Sequence, residues 1–557
     1  MPVVNIDVAK LRRLVGRDLT LEEISDYLAA LGMSVEEVGD ILRVEYNPNR
    51  PDFSSVYGVA AALRGYLGIE AGLRKRSYPL SGISVYVDRS VEDIRPYIVC
   101  AVVRNVELSE AELVEFIAMQ EDLHWVIGRN RRKMAIGLHD LSAISPPFTY
   151  KAVGMDEVRF VPLKDYRAMT PGEVLSKSEI GRKHAWLLKD AAKAPVIVDS
   201  RGQVFSMPPI VNASITELTP GKRDIFIDVT GTDMEKVNQA LNILAEAFAD
   251  AGGKVQRVRV VYGRKSFYTP ETKPLEMMLD MTLVQKLTGL QLSPREAAKL
   301  LRRMGMQASV KGKRLRVFYP RHRADILHPV DLVEDIAVAY GYNNMTPVSP
   351  QSNTYGSLRP QTTFYEKVAE IMLGLGYTEV HNLMLTNEQT HYQMSGLGDT
   401  QHIILANPAT REYTMVRTSL IPSLLTTLAN NTDNLYPQKI FEIGDIIYIE
   451  PSAAEKTVRM KKLAAATAHA EAGYSEVKSV LDELFKLLQL KPEYVPEAMG
   501  TFIEGRCAAL TFDGTQVGVV GEVSPTVLEN FGIEMPVAIF EIELDKLYTM
   551  QQLYRAE

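Results

Sequence analysis

The sequence predicts a multidomain α+β protein. A small helix–strand–helix module is used twice, an α/β domain lies between the copies, and an antiparallel α+β domain occupies the C-terminal third. Three observations carry this. Residues 16–69 align without a gap onto 289–342 at a constant offset of 273. Residues 80–265 alternate strand-like and helical patterns. Beyond a polar, Pro- and Gly-punctuated stretch at 351–363, hairpin-linked strands recur with helices between them. The 557 residues leave room for about three to five domains, each with a sizeable core.

The register of the repeat is its evidence. Gly16, Leu19, Glu23 and Leu28 fall on Gly289, Leu292, Glu296 and Leu301. Gly32-Met33 falls on Gly305-Met306, and Leu42-Arg43-Val44 falls on Leu315-Arg316-Val317. Tyr46, Arg50, Asp52 and Gly68 meet Tyr319, Arg323, Asp325 and Gly341. In each copy a Thr or Ser (Thr20, Ser293) with Glu three residues on predicts a capping box. An amphipathic helix follows and stops at Gly32 or Gly305. A short hairpin ending in the LRV strand, a turn and a second helix complete the module.

The copies differ on that second helix. The first carries Gly58, Ala61 and Ala62; the second carries Asp331, Glu334 and Asp335 at the same positions. Spacing of i, i+3 and i+4 puts three carboxylates on one helix face, with Asp325 in the preceding turn, and unpaired like charges so placed destabilise a helix. Something positive should compensate. A hard cation with oxygen ligands, Mg²⁺ before Ca²⁺, suits carboxylates without His or Cys. A solvated acidic face paired with Arg321 and Arg323 is the other reading, and spacing alone leaves both open.

In the insert, strands are expected at 83–87, 98–103, 196–198 and 225–229, and helices at 110–119 and 234–251. The segment should fold as a unit between the copies. Asp228 and Thr230, read on their own, would end a strand and cap the next turn. In the C-terminal third, 416–431 starts a helix, 439–449 and 537–544 are strands, and Asp513-Gly514 is a hairpin turn. Strands joined by hairpins, with helices against one face, indicate an antiparallel α+β domain. The expected divisions are 1–78, 79–267, 268–346, a linker at 347–363, and 364–557.

Composition narrows the function classes. Net charge is −7, which argues against coating nucleic acid through bulk positive charge but leaves room for local patches. Arg129, Arg131, Arg132 and Lys133 form one such run, and Arg74, Lys75 and Arg76 another; each reads more readily as a solvated face than as an RNA contact. Cys100 and Cys507 are far apart and outside any CxxC pattern, which excludes a disulfide framework or cysteine zinc site as an organising feature and fits a reducing cytosol. The start, MPVVNIDVAKLRRLVG, has no long apolar core. No run of about 18 apolar residues appears, so no membrane span is expected. The expectation is a soluble, cytoplasmic protein.

The run RHRADILHPVDLVEDIAVAYGYNNM (321–345) resembles the signature of the phenylalanine–tRNA ligase β-subunit family, and NPNRPDFSSVYGVAAALRGYLG (47–68) resembles its N-terminal counterpart. The resemblance covers essentially the whole chain and points to the shorter archaeal/eukaryotic form. It implies a Mg²⁺ ion at Asp325, Asp331, Glu334 and Asp335, near the contact with an α subunit, in an α2β2 heterotetramer. Ala324 stands where the family usually has proline and leaves the acids intact. The resemblance further implies ATP-dependent attachment of phenylalanine to tRNA(Phe) by the α subunit, and no membrane partner.

By the same resemblance, 79–267 is an editing domain that hydrolyses tyrosyl-tRNA(Phe). SMPPIVN (206–212) and FIDVTGTD (226–233) match the archaeal-type pocket, which implies Ser206, Asp228 and Thr230 as pocket residues with Ile197 on the apolar wall. Asn212 and His139-Asp140 are nearby candidates. No Ser/His/Asp order or zinc spacing is present, so hydrolysis should rely on a positioned water. TSLIPSLL followed by FEIGDI resembles a class II synthetase core. However, VAIFEIELDKL and KIFEIGD lack the arginines that adenylate formation needs, so this is a degenerate, catalytically silent copy. Arg417 reads as structural rather than as a phosphate ligand. A non-enzymatic RNA-binding scaffold is the alternative, weakened by the acidic charge and by the lack of a basic or base-stacking aromatic stripe. A stand-alone phosphoryl-transfer enzyme ranks last, because no GxxxxGK[ST] loop accompanies the acids.

Overall fold

The computed structural model describes residues 2–350 and 354–556, so residues 351–353 of the expected linker lie outside the described residues. The chain forms two compact units, Met1–Ser349 and Pro350–Glu557.

The first copy of the repeat runs β1 (Val3–Asp7), α1 (Val8–Val15), α2 (Leu21–Ala30), β2 (Ser34–Glu37), β3 (Ile41–Glu45) and α3 (Val56–Tyr66). The capping box expected at Thr20 is present: its hydroxyl accepts from the Glu23 amide while the Glu23 carboxylate accepts from the Thr20 amide.

The insert builds one ten-stranded sheet. Its strands are β4 (Leu80–Val87), β5 (Tyr97–Leu108), β6 (Met134–Asp140), β7 (Phe148–Gly154), β8 (Lys193–Val198), β9 (Val204–Met207), β10 (Val211–Asn212), β11 (Gly221–Gly231), β12 (Lys254–Tyr262) and β13 (Lys265–Thr269). The order is β10-β9-β8-β7-β4-β12-β5-β11-β6, with β13 paired to β12. Only the β4–β12 and β4–β7 pairings are parallel. Its helices are α4 (Glu110–Val126), α5 (Pro171–Lys177), α6 (Glu179–His184) and α7 (Met234–Asp250).

Alternation along β5 divides the packing. Val99, Ala101 and Val103 join Phe116 of α4, Phe248 of α7 and first-copy residues such as Leu11 and Leu63 in one core. Ile98, Cys100 and Val102 join Phe148, Phe205 and Phe226 in another. The insert is therefore not a unit apart: the first copy shares its core. Arg74 and Arg76, in the connection, are ion-paired to Asp250 and Glu246 of α7, so two members of that basic run are tied to the fold while Lys75 is exposed, as expected of a solvated face.

The second copy runs β14 (Leu275–Asp280), α8 (Met281–Thr288), α9 (Pro294–Arg303), β15 (Gln307–Lys311), β16 (Arg314–Tyr319) and α10 (Pro329–Tyr340). Its sheet order, β14-β16-β15, repeats β1-β3-β2. The repeat is thus longer than the alignment indicated, with a strand and a helix ahead of the expected helix–strand–helix. Asp7 and Asp280, at the same offset, both cap the added helix. That part keeps its apolar pattern rather than its residue identities, so residue identity marks the repeat only from Gly16 onward.

The second unit contains α11 (Pro360–Gly374), β17 (Thr378–Glu379), β18 (Leu385–Thr386), β19 (Met415–Val416), α12 (Ile421–Ala429), β20 (Gln438–Ile449) and β21 (Thr457–Ala468). It continues with α13 (Tyr474–Leu487), β22 (Glu493–Pro496), β23 (Phe502–Phe512), β24 (Thr515–Val523), α14 (Pro525–Phe531), β25 (Val537–Glu543) and α15 (Leu544–Ala556). Seven strands form a sheet in the order β17-β20-β21-β25-β24-β23-β22, antiparallel except at β17–β20. Asp513-Gly514 is the expected hairpin turn, both residues at positive φ (48° and 77°).

Two expectations change here. Pro360 opens α11, so the helix takes the last residues assigned to the linker. Helices also cover both sheet faces rather than one. Leu463 and Ala465 of β21 pack with α11 and α13, while Ala464 and Ala466 pack with α12 and α14. The reason is visible in β21 and β25, which are apolar at successive positions rather than alternate ones.

Candidate functional site

Asp228 lies mid-strand in β11, opposite Gly137 of β6 and Cys100 of β5. Its carboxylate is 1% exposed and borders a cavity of about 420 Å³ that Ser206, Asn212, Gln120 and Pro209 also line. A carboxylate can only accept, so His139 Nε2–H donates to Asp228 Oδ2 at 2.8 Å. The other ring nitrogen, Nδ1, lies 2.9 Å from Thr216 Oγ1. Gly137 makes room for this pair. A Cβ there would stand 2.0 Å from Asp228 Oδ2 and 2.5 Å from His139 Nε2. Across the cavity wall, Ser206 Oγ donates to Asn212 Oδ1 at 3.1 Å. His139 is committed to Asp228 and Thr216, and Ser206 has no base beside it. This arrangement offers hydrogen-bonding groups to a bound molecule or water, without an activated protein nucleophile.

Ser206, Asp228 and Asn212 therefore line the cavity together, with His139 fully buried behind Asp228, while three other candidates do not reach it. Thr230 shares the Asp228 face of β11 but is fully buried beneath Arg95, whose Nε donates to its hydroxyl at 3.0 Å and whose Nη2 donates to its carbonyl at 2.8 Å. Ile197 is in the aromatic core with Phe148, Phe205 and Phe226. Asp140 caps the short turn after β6, accepting from the amide and hydroxyl of Ser142.

Arg95 is the residue that sequence reasoning missed, because a lone arginine in IRPYI carries no motif. Its Nη1 also reaches the carbonyls of Arg131 and Arg132. It thereby links the Asp228 strand to the loop after α4. Burial lowers its pKa to about 10, against the opposing pull of Tyr150 and Asp228, so it stays cationic at neutral pH. The loop is pinned from its other side. Arg131 donates to Glu121 at 2.7 Å, and although burial pushes that carboxyl up, His124 and Arg131 bring it down to about 2.

The acidic cluster of the second copy lines a separate cleft of about 640 Å³, with Tyr27, Asn47 and Arg50 of the first copy. Within it Arg323, 5% exposed, donates Nε and Nη2 to both oxygens of Asp325 at 2.9 and 2.7 Å, and Nη2 to Asp335 at 2.8 Å. Burial pushes Asp335 up to about 6 despite Arg323, whereas for Asp325 burial is outweighed by Arg323, leaving it at about 2. Asp331 reaches back to the amides of Leu327 and His328 at 2.7 Å and caps α10. Glu334 is exposed and makes no hydrogen bond among the described residues.

The three acids on one helix face thus have three different surroundings, and Arg323 supplies much of the compensating charge. Arg321 pairs instead with Glu271. The donor chemistry suits a hard cation. Even so, among the described residues no three His, Cys, Asp or Glu side chains gather closely enough to share one ion.

In the second unit, Arg417 is 1% exposed and donates to Glu442 at 2.6 Å and to the Asp445 carbonyl at 3.1 Å. Its guanidinium is engaged in a buried ion pair, the structural use expected of it. Among the described residues no helix is long and apolar enough to cross a membrane.

Two family models match the chain: a tRNA synthetase B5 domain over residues 277–342, and a phenylalanyl tRNA synthetase beta chain CLM domain over 345–544. The chain is 42% identical to the phenylalanine–tRNA ligase β subunit of Archaeoglobus fulgidus, over 99% of this chain and 100% of that one. It is 39% identical to that of Methanocaldococcus jannaschii, over 98% and 100%. A crystal structure of an N-terminal fragment of the Pyrococcus horikoshii phenylalanyl-tRNA synthetase β subunit covers 61% of this chain and 99% of that fragment. The two share 38% identity, with a TM-score of 0.59.

Proposed function

Because the chain belongs to the phenylalanine–tRNA ligase β-subunit family, we propose that it works in the cytoplasm as the β half of an α2β2 ligase. The α chain adenylates phenylalanine with ATP and charges tRNA(Phe), and this chain hydrolyses tyrosyl-tRNA(Phe). The observation that carries the editing role is the buried Asp228 carboxylate, held at the cavity wall by His139.

In this reading the misattached tyrosine enters the cavity and its phenol hydroxyl donates to Asp228, with Ser206 and Asn212 completing the polar surface. Phenylalanine in the same place would leave Asp228 without that donor, and a site built to bond a hydroxyl rejects its absence strongly, by about 10⁴-fold. A water then attacks the ester carbonyl. Its oxygen bonds to the carbonyl carbon, the ester bond to the ribose oxygen breaks, and that oxygen takes up the proton. Thr230, Ile197 and Arg95 act from behind the lining, fixing β11 and the aromatic core. Arg417, already paired, leaves the C-terminal unit with a packing role toward the α subunit.

The acidic cleft is where Mg²⁺ would bind. Asp325, Asp331, Glu334 and Asp335 are the residues that would hold it, by drawing closer together than they stand in the structure, and the ion would offset their charge and firm the second copy for contact with the α subunit. The divisions at 1–78, 79–267, 268–346, 347–363 and 364–557 follow the same assignment as sequence modules, the first of them sharing a core with the second.

The test uses the purified α/β complex. Charging with phenylalanine should need both chains. Asp228→Asn should abolish tyrosyl-tRNA(Phe) deacylation while charging persists. Charging by this chain alone, or undiminished deacylation in Asp228→Asn, would overturn the reading.

A further inference from the structure

The chain has two tryptophans, and both are on its surface, Trp125 at 49% and Trp186 at 42% exposure. Indoles are on average among the more buried side chains, so two exposed ones in one place ask for a partner. They line one concavity of about 680 Å³ with Arg129, Arg132 and Lys133. The Arg132 guanidinium lies 4.9 Å over the Trp186 ring. None of the three cations has a carboxylate partner among the described residues. The loop that presents them holds Arg129, Asn130 and Arg131 at φ of 48°, 55° and 67°, three successive left-handed residues that L side chains seldom adopt together. Buried Arg95 fixes that loop from within.

The concavity is also connected. A smaller cleft shares Arg132 and Trp186 with it, and shares Pro209 with the cavity that holds Asp228. An aromatic and cationic surface therefore leads stepwise to the site proposed for ester hydrolysis.

We propose that the Trp125–Trp186 surface binds the unpaired 3′-terminal nucleotides of the aminoacylated RNA. The bases stack on the indoles and the phosphates meet Arg129, Arg132 and Lys133, while the attached aminoacyl group enters the Asp228 cavity. Flat exposed rings beside unpaired cations fit single-stranded nucleotides, whose bases are free to stack. A duplex buries those faces. The proposal rests on the editing reading for what the RNA carries, but not for the binding itself.

Because both tryptophans are in the surface, their intrinsic fluorescence reads it directly. Titrating the full chain with a short single-stranded RNA ending in CCA should quench it saturably. Three phosphate contacts give a log–log salt slope of about −2. Trp186→Ala should weaken binding roughly ten- to a hundredfold, as loss of a stacked base does, and Trp186→Phe should restore most of it. Arg129→Glu with Arg132→Glu should flatten the salt slope. In tyrosyl-tRNA deacylation by the α/β complex, Trp186→Ala should raise KM and leave the saturated rate near wild type.

Equal quenching by a blunt RNA duplex, or no quenching with normal deacylation, would overturn the proposal. Quenching without any deacylation by the wild type would sink the editing reading and leave this surface standing. Asp228→Asn, which should quench normally, separates the two.

Discussion

In the first copy of the repeat, Arg50 donates Nε and Nη2 to the two oxygens of Asp52 at 2.9 and 2.7 Å; in the second, Arg323 does the same to Asp325 at the same distances. The pairs face each other, with Arg50 Nε 4.0 Å from Asp325. The following helix starts at equivalent positions, Val56 and Pro329, and there the copies part. At Gly58 the Asp52 carbonyl comes so close that a Cβ would stand 1.7 Å from it. At Asp331, the equivalent position, the side chain itself reaches back to the amides of Leu327 and His328. One copy caps the helix start with the Ser55 hydroxyl, accepting from the amide of a glycine that leaves room for backbone, and the other with the Asp331 carboxylate.

The acids are therefore not simply an addition to a module that folds without them. Asp331 replaces a local contact, Asp335 gives Arg323 a second buried partner, and only Glu334 has no structural task. Gly65 extends the contrast, since a Cβ there would stand 2.6 Å from the Arg303 carbonyl of the other copy. Gly58 and Gly65 of α3 are glycines where neighbouring backbone lies against them.

The largest expected difference is between the two arginines. Arg323→Met leaves Asp325 and Asp335 buried without their cation and should cost about 3–5 kcal/mol in denaturant unfolding. Arg50→Met strands one buried carboxylate, Asp52, rather than two, and should cost about 1–3 kcal/mol. Equal losses would break the comparison. In metal-free buffer the second copy should also carry a pH signature. Asp325 is held down, so its contribution is complete above the ordinary carboxylate range and lost as pH falls through about 2. Asp335 is held up by burial, so its contribution is complete below that range and lost as pH rises through about 6. Wild type should thus be favoured between these limits, and Arg323→Met should lack the acid-side loss.

Next come the two helix starts. Gly58→Ala forces a Cβ against backbone and should cost about 1–3 kcal/mol. Asp331→Ala removes a cap and should cost about 1 kcal/mol. A Gly58→Asp protein as stable as wild type would mean that the two starts are interchangeable and that the glycine is incidental.

How far the sequence could be read follows from the range of the interactions. Capping boxes, glycine stops and the Asp513-Gly514 turn are set by neighbours within a few residues, and each was legible. The Arg50–Asp52 and Arg323–Asp325 pairs were legible as aligned residues, but not as forks, because their geometry depends on side-chain rotamers. The cavity was partly legible. Ser206 and Asp228 come from one matched pattern, yet Thr230, two residues on, is covered by Arg95 from a different strand entry. The indole surface was not legible at all. Trp125 and Trp186 are distant in sequence, and no stripe or spacing announces them until α4 and the turn after α6 are placed together. Helices on both faces of the C-terminal sheet were not legible for another reason: the uninterrupted apolar runs of β21 and β25 mark strands, but which helices cover each face is set by long-range packing.

The smallest effect on stability belongs to Glu334, and it bears most directly on the metal. Exposed and without a hydrogen-bond partner among the described residues, it should tolerate Glu334→Gln within about 0.5 kcal/mol. The substitution keeps the shape and removes one charged oxygen donor from the cleft. Calorimetric titration with Mg²⁺ should then show weakened binding, and assembly with the α subunit should need more Mg²⁺. Ala61→Glu in the first copy supplies the reciprocal case: placing the acid on a helix without its neighbouring carboxylates should create no Mg²⁺ binding. If Glu334→Gln leaves titration and assembly unchanged, the cleft is an arginine-neutralised face in both copies. The difference between them would then end at the helix start.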